Sequence, residues 1–286
     1  MNENKFKRME GGVTFPAGFR ASGIHCGLRK NKNKKDLALI LADKPCSAAA
    51  IYTTNKVYGA PITVTREHLK NGIARAAICN SGNANTCNPD GVDKANAMCA
   101  ALAKHLGIDE NDIIITSTGV IGMPLPLEPI LNGIPALCDS LGYGAENGYA
   151  AASAIMTTDT RLKQIAAEAV IDGVKVKIGG MSKGSGMIQP NMATMLCFVT
   201  TDADITPETL QVLLKRVADR TFNMISVDGD TSTNDTFSVM ASLDFWFMAD
   251  SLLVGKKFLT MGKSSSIIQL KIVMRSSCPK RKGDML

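Results

Sequence analysis

The sequence predicts an α/β protein, because short apolar, partly β-branched runs alternate along one chain with segments of helical pattern and capping. Three features carry this expectation: the run DLALILA at residues 36–42, an Ala-rich helical pattern at 94–106 that stops at Gly107, and a Thr-Pro-Glu helix start at 206–208. At 286 residues the chain suffices for one large domain or two ordinary ones. It can bury a core without disulfides or metals, and no repeat of 20–50 residues is visible.

Taken in order, strands are expected at 36–42, 75–79 (RAAIC), 112–116 (DIIIT), 174–178 and 195–200. Helix 94–106 ends where Gly107 can adopt the left-handed C-cap. A further helix is expected at 146–156 (ENGYAAASAIM). In the last helix, reaching about Arg220, Thr206 serves as N-cap, Pro207 sits at N1 and Glu208 favours the positive helix end.

Composition narrows the chemistry. An apolar share of 45% and a charged share of 20% are those of a soluble globular protein. Eight cysteines are scattered without a CxxC pair, and the three histidines, His25, His68 and His105, have no ligand spacing to them. A structural zinc site and a histidine-based triad are therefore not expected. The N-terminus carries charges but no apolar signal core, and the uncharged stretch 184–201 is broken by Pro190, so neither a secretory signal nor a membrane span is expected. A cytoplasmic location with reduced thiols is the expectation. Net charge is +6, of which residues 244–286 hold +5, with eight Lys/Arg against three Asp/Glu. The rest is near neutral, which speaks against a nucleic-acid-binding face.

Two clusters invite chemistry. The run GGMSKGSG at 179–186 lacks the order GxxxxGK[ST], so it reads as a loop that brings backbone close to a partner rather than a nucleotide cradle. It leads into MIQPNMATML, where Thr194 stands at a loop-to-strand junction. A threonine there is more often structural than catalytic. If it is a nucleophile, its base has to be something other than histidine. The α-amine released by cutting the bond before it is one such base, with a pKa near ~7.7–8.0.

The segment KGSGMIQPNMATMLCFVTTDA resembles the autoprocessing segment of the ornithine acetyltransferases, the bifunctional glutamate N-acetyltransferases of arginine biosynthesis. Further segments resemble the same family in its own order: PAGFRASGIHCGLRK, AAIYTTNKVYGAP, CNSGNANTC, TSTGVIG, AIMTTDT and SVDGDTSTNDT, together spanning about residues 12–242. The resemblance implies an autoprocessing αββα-type sandwich. It implies self-cleavage between Ala193 and Thr194, giving an α chain of residues 1–193 and a β chain that starts with 194–243. Thr194 is then the nucleophile of a ping-pong reaction in which N-acetylornithine acetylates it and glutamate takes the acetyl group. Thr118 and Gly119 map onto the oxyanion donors, and Thr157 and Lys183 join Thr194 in substrate binding. The same resemblance implies α and β chains paired in a heterotetramer. No metal or organic cofactor is required, and acetyl-CoA is compatible as a second acetyl donor.

Residues 244–286 depart from the family pattern and read as a divergent, poorly ordered basic tail, as though the family chain were truncated there. An incomplete and inert homologue is therefore the alternative function. For Asn80, Asn83 and Asn85 turn-forming roles are expected. A third reading rests on Asp228-x-Asp230, which after an apolar strand would resemble an aspartyl-phosphatase nucleophile. As a calcium loop the segment fails, because the required glycine and glutamate positions hold Thr233 and Val239.

Overall fold

The computed structural model describes residues 6–171, 173–187 and 195–242. Ala193 and Thr194, and the tail 244–286, lie outside the described residues.

The chain runs through β1 (Phe6–Met9), β2 (Phe19–Ile24), β3 (Leu37–Tyr52), α1 (Ala60–His68), β4 (Ile73–Asn83), α2 (Gly91–Leu106), β5 (Ile113–Val120), α3 (Leu127–Asp139), α4 (Ala145–Ala154), β6 (Lys163–Ile171), β7 (Val174–Lys183), β8 (Leu196–Thr201), α5 (Pro207–Arg220) and β9 (Thr236–Ala241). The nine strands are hydrogen-bonded in the order β1-β6-β7-β8-β9-β3-β4-β5, with β2 also on β3. Strand β3 joins two leaves. Its first part pairs with β2, its last part pairs with β9, and its register on β4 shifts between Leu41 and Cys46. An irregularity of this kind lets one strand bend from one sheet layer into the next.

Side-chain alternation explains the layering. On β3, Ala38, Ile40, Ala42 and Ala48 pack into one core with Met181, Leu196, Phe198 and Met240 from the other leaf and Ala151 and Ala154 of α4. Leu37, Leu39 and Leu41 point the opposite way, into a core with Met98 and Leu102 of α2 and Ile130 and Ile134 of α3. Beyond the other leaf, Leu210, Leu213 and Leu214 of α5 cover Cys197, Phe237 and Val239. The layers are therefore helix, sheet leaf, sheet leaf, helix, with α4 wedged at the central core.

Local signals worked where caps were explicit. Helix α2 ends at Gly107 with φ 65°, and the Thr206 side chain accepts from the Thr209 N–H at the start of α5. The strand expected before Asp228 is absent. Phe222–Met224 instead forms a 3-10 turn, because Phe222 stays tucked against Phe237 (ring centroids 4.7 Å apart) as α5 ends. Among the described residues no helix is long and apolar enough to cross a membrane.

Burial of thiols has a measurable consequence. Burial pushes the Cys46, Cys79 and Cys99 thiols from the ordinary 9.0 up to about 12. A raised folded-state pKa gives stability that is fully present below the unfolded value and is lost as pH climbs towards 12. Each such thiol costs about 1.4 kcal/mol per pH unit above 9. The urea midpoint is expected to fall steeply between pH 8.5 and pH 10.5 (about two units). A flat profile over that range would contradict the burial of these groups.

Candidate active site

The rim where the two leaves meet holds an open cleft of about 680 Å³, lined among others by Thr118, Gly119, Thr157, Lys183 and Asn234. Parallel pairing of β4 with β5 places Gly82 beside Gly119 and Ser81 beside Thr118. Strand β7 ends at Lys183, which pairs with Leu196 at the start of β8. The last residue of β7 and the first of β8 thus pair at one lysine.

Four of the site residues singled out in the sequence come together. Lys183 is not a solvated loop residue: it closes β7, is 4% exposed, and donates from Nζ to Thr118 Oγ1 across the leaves at 3.2 Å. A threonine hydroxyl that accepts this bond keeps its own proton to donate. Gly119 has φ 136°, a conformation that suits glycine. Thr157 lines the same cleft, as does Thr158, whose hydroxyl pairs with Ser185 at 2.6 Å. Thr194 and Ala193 fall outside the described residues, but the flanking Met195 does not. Its amide N–H donates to Asp235 Oδ1 at 2.6 Å.

Several residues of the site escaped the sequence reading. Asp159 gathers the Lys163 ammonium at 2.5 Å, the Gly184 N–H at 2.8 Å and the Thr157 N–H at 3.1 Å. Burial alone would raise its carboxyl, yet these three donors hold it below the usual carboxylate range. Asn234 ties the leaves together: its side chain donates to the carbonyls of Ala84 and Ser117 and accepts from the Thr86 hydroxyl at 2.6 Å. The guanidinium of Arg29 reaches the carbonyl of Met156 across the cleft wall. Asn234 and Asp235 belong to the family segment SVDGDTSTNDT, whose phosphatase-like pattern rests on Asp228 instead. Asp228 itself accepts the Met187 N–H and stays in a loop. Of the three asparagines, Asn83 and Asn85 do build a turn, with Asn85 at φ 49° and its N–H on Asn83 Oδ1. Asn80 is instead buried in β4 and accepts from Ser117 Oγ at 2.6 Å.

Burial depresses the Lys183 pKa below its ordinary 10.5, although Asp159 and Asp235 pull it upwards. The sign for stability follows directly. Between the depressed folded value and 10.5 the unfolded lysine holds a proton that the folded one gives up, so this residue stabilises the fold increasingly as pH rises. Removing a desolvated cation removes that penalty. Lys183→Met is expected to unfold at higher urea than the wild type at pH 7, by roughly 1 kcal/mol. The gap should narrow as pH rises towards 10.5, and a variant less stable than wild type throughout that range would contradict the burial argument.

Comparison with known proteins adds the lineage. The ArgJ family model matches residues 20–261. The arginine biosynthesis bifunctional protein ArgJ of Caldanaerobacter subterraneus is 48% identical over 235 residues, 82% of this chain and 57% of that protein. The corresponding protein of Symbiobacterium thermophilum is 50% identical over 236 residues, 82% of this chain and 58% of its own. The chain thus spans less than two thirds of the length of these relatives. Among solved structures, the ArgJ protein of Bacillus halodurans matches with TM-score 0.63 at 40% identity, over 68% of this chain and 100% of that one. The Mycobacterium tuberculosis ornithine acetyltransferase, solved with ornithine, matches with TM-score 0.59 at 34% identity, over 67% of this chain and 100% of that one. An aminopeptidase of Ochrobactrum anthropi described as a variant of the Ntn hydrolase fold matches with TM-score 0.59 at 12% identity, over 96% of this chain and 89% of that one, a likeness of fold alone. With the family model matched over most of its residues, the chain belongs to the ArgJ family.

Proposed function

We propose that this protein is a self-cleaving acetyltransferase that moves an acetyl group from N-acetylornithine to glutamate through an acetyl-Thr194 intermediate. The observation that carries the reading is the convergence on one cleft of Lys183, Thr118 and Gly119, with Lys183 paired to the strand that begins two residues after Thr194. An acyl-transfer transition state needs donors aimed at a developing oxyanion, and the Thr118–Gly119 corner can offer a hydroxyl and a backbone amide. A cation at Lys183 suits the carboxylate of an amino acid.

In the first step Thr194 Oγ attacks the Ala193 carbonyl carbon, the bond to the Thr194 nitrogen breaks, and an ester links the two chains. Water then releases the Ala193 carboxylate. The new α-amine takes the proton of the same hydroxyl as it attacks N-acetylornithine, ornithine leaves, and glutamate collects the acetyl group. Asp235 orients the strand entry by holding the amide of Met195, the residue that follows Thr194 in sequence. Cleavage at this bond is also supported by lengths. Both solved family chains are matched over their full length by only about two thirds of this one, 68% and 67%, a share similar to that of an α chain ending at Ala193.

Pairing of α and β chains into a heterotetramer, and acetyl-CoA as a second donor, belong to the same proposal. So does a cytoplasmic location, which the seven free thiols among the described residues support. The reaction as written needs no metal or organic cofactor.

The test combines intact mass with acetyl exchange. Purified protein is expected to separate into two fragments meeting at Ala193/Thr194, and to move labelled acetyl from N-acetylornithine to glutamate. Cleavage without exchange would identify an inert homologue. Magnesium-dependent phosphatase activity lost in Asp228→Ala would replace the proposal altogether.

A further inference from the structure

We propose that Arg29 is a specificity-determining residue of the cleft, selecting a dicarboxylate amino acid by binding its side-chain carboxylate while Lys183 binds the α-carboxylate. The inference rests on the reading of the cleft as an amino-acid site and names the chemistry that the site prefers.

The charge pattern of the wall comes first. Among the described residues that line the cleft, Arg29, Lys30, Lys34 and Lys183 are cationic and none is acidic. One α-carboxylate accounts for one cation. Arg29 is also the one with a built position. Its backbone N–H donates to the buried Asp36 carboxylate at 2.9 Å, and that carboxylate also holds the Cys26 N–H at 2.6 Å, so the loop after β2 is fixed. The arginine stem crosses Gly82, where an added Cβ would lie 3.3 Å from Arg29 Cγ, and its far end is held by the Met156 carbonyl.

The guanidinium therefore passes over the β4 end at Gly82 and rests against the loop that carries Thr157, already ordered before any ligand arrives. Its Nε is buried and has no hydrogen-bond partner among the described residues. Partial burial lowers the guanidinium pKa despite the opposing pull of Asp36 and Asp159. A desolvated donor gains more from an anion than a hydrated one, and the planar fork matches a carboxylate. Lys30 and Lys34 stand on the same loop at the cleft's edge, where they raise the local concentration of an anionic substrate.

The two substrates are then unequal in this cleft. Glutamate carries a second carboxylate for Arg29. Ornithine carries a cation there, which the described wall repels. Any group that accommodates that cation lies elsewhere than in these lining residues.

The experiment titrates the full-length protein by calorimetry with L-glutamate, with L-norvaline, which has the same side-chain length without the carboxylate, and with L-ornithine. Wild-type protein is expected to bind glutamate about tenfold or more tightly than norvaline, a preference that weakens with added salt. Arg29→Gln is expected to lose that preference while norvaline binding changes less than about twofold. Arg29→Lys, which keeps the charge without the fork and perturbs packing least, is expected to retain part of it. A wild type that does not distinguish glutamate from norvaline, or an Arg29→Lys as selective as wild type alongside an equally selective Arg29→Gln, would overturn the proposal. Intact mass of the same sample reports separately on self-cleavage, so failure of the broader reading is seen independently.

Discussion

The Thr194→Ala variant is expected to remain one uncut chain under conditions where the wild type is fully divided. In the wild type, the two fragment masses should add to the intact mass plus one water, with threonine as the new amino terminus of the second fragment. Alanine has no hydroxyl to attack the Ala193 carbonyl, and no histidine neighbours the segment in sequence to recruit water instead. Loss of a nucleophile of this kind costs at least about a thousandfold in rate. Thr194→Ser supplies the complementary result. It keeps the hydroxyl, so cleavage should continue, more slowly because serine lacks the methyl that restricts the side-chain rotamer. A wild type that emerges uncut, or a Thr194→Ala chain that divides at the same bond, would remove the nucleophile from the proposal.

Cleavage would act on a site whose parts come from both sides of the bond. Lys183 closes the last strand before it, and Asp235 and Asn234 precede the last described strand after it. Asp235 holds the Met195 amide, and Asn234 holds the carbonyls of Ala84 and Ser117. The two products would remain joined by β7 on β8 and by β9 on β3, pairings that involve backbone ladders and two apolar cores. Chain cutting therefore need not open the fold. It would expose a new amine beside a cleft already assembled.

Much of this was readable in the sequence where chemistry is local. Gly107 and Thr206-Pro207 announced their caps, and the apolar runs announced the strand centres. Helix α3 went unseen because Pro126, Pro129 and Pro135 look like breakers. Pro126 is the N-cap and Pro129 lies in the first turn, where no N–H is owed, while Pro135 is accommodated in the interior by the burial of Ile130, Ile134 and Leu137. Strand β3 continues through Lys44-Pro45 because the register shift falls there. At the site, Thr118, Gly119, Thr157 and Lys183 were legible as members of family motifs. Arg29 stands in the family segment PAGFRASGIHCGLRK, but its place in the cleft was not legible there, since its partner Met156 is 127 residues away and nothing in LRKNKNKK distinguishes one cation from four others. The bond from Thr86 to Asn234 spans 148 residues. Such contacts are products of topology, which no single-segment pattern encodes.

Gly119→Ala is expected to be among the most damaging single-methyl changes in the protein. The added Cβ would lie 2.3 Å from the Gly82 carbonyl carbon and 2.5 Å from the Asn83 nitrogen, and neither atom belongs to a side chain that can swing away. The φ of 136° adds strain that alanine tolerates poorly. Relief requires separating β4 from β5 at the Gly82–Gly119 pair, which would also move the Thr118 hydroxyl away from Lys183. The clash and the dihedral cost can be told apart with Gly107→Ala. Gly107 also has positive φ, at 65°, but nothing lies within 4 Å of its Cβ position. That control should lose about 1 kcal/mol, the penalty for a left-handed alanine alone. Gly119→Ala should lose more than about 3 kcal/mol by urea unfolding. On the proposed reaction it should also lose self-cleavage and acetyl exchange, because a displaced Thr118–Gly119 corner would no longer meet the oxyanion. Equal losses for the two variants would mean that the rim can open without cost, and that Gly119 is a glycine for its dihedral alone.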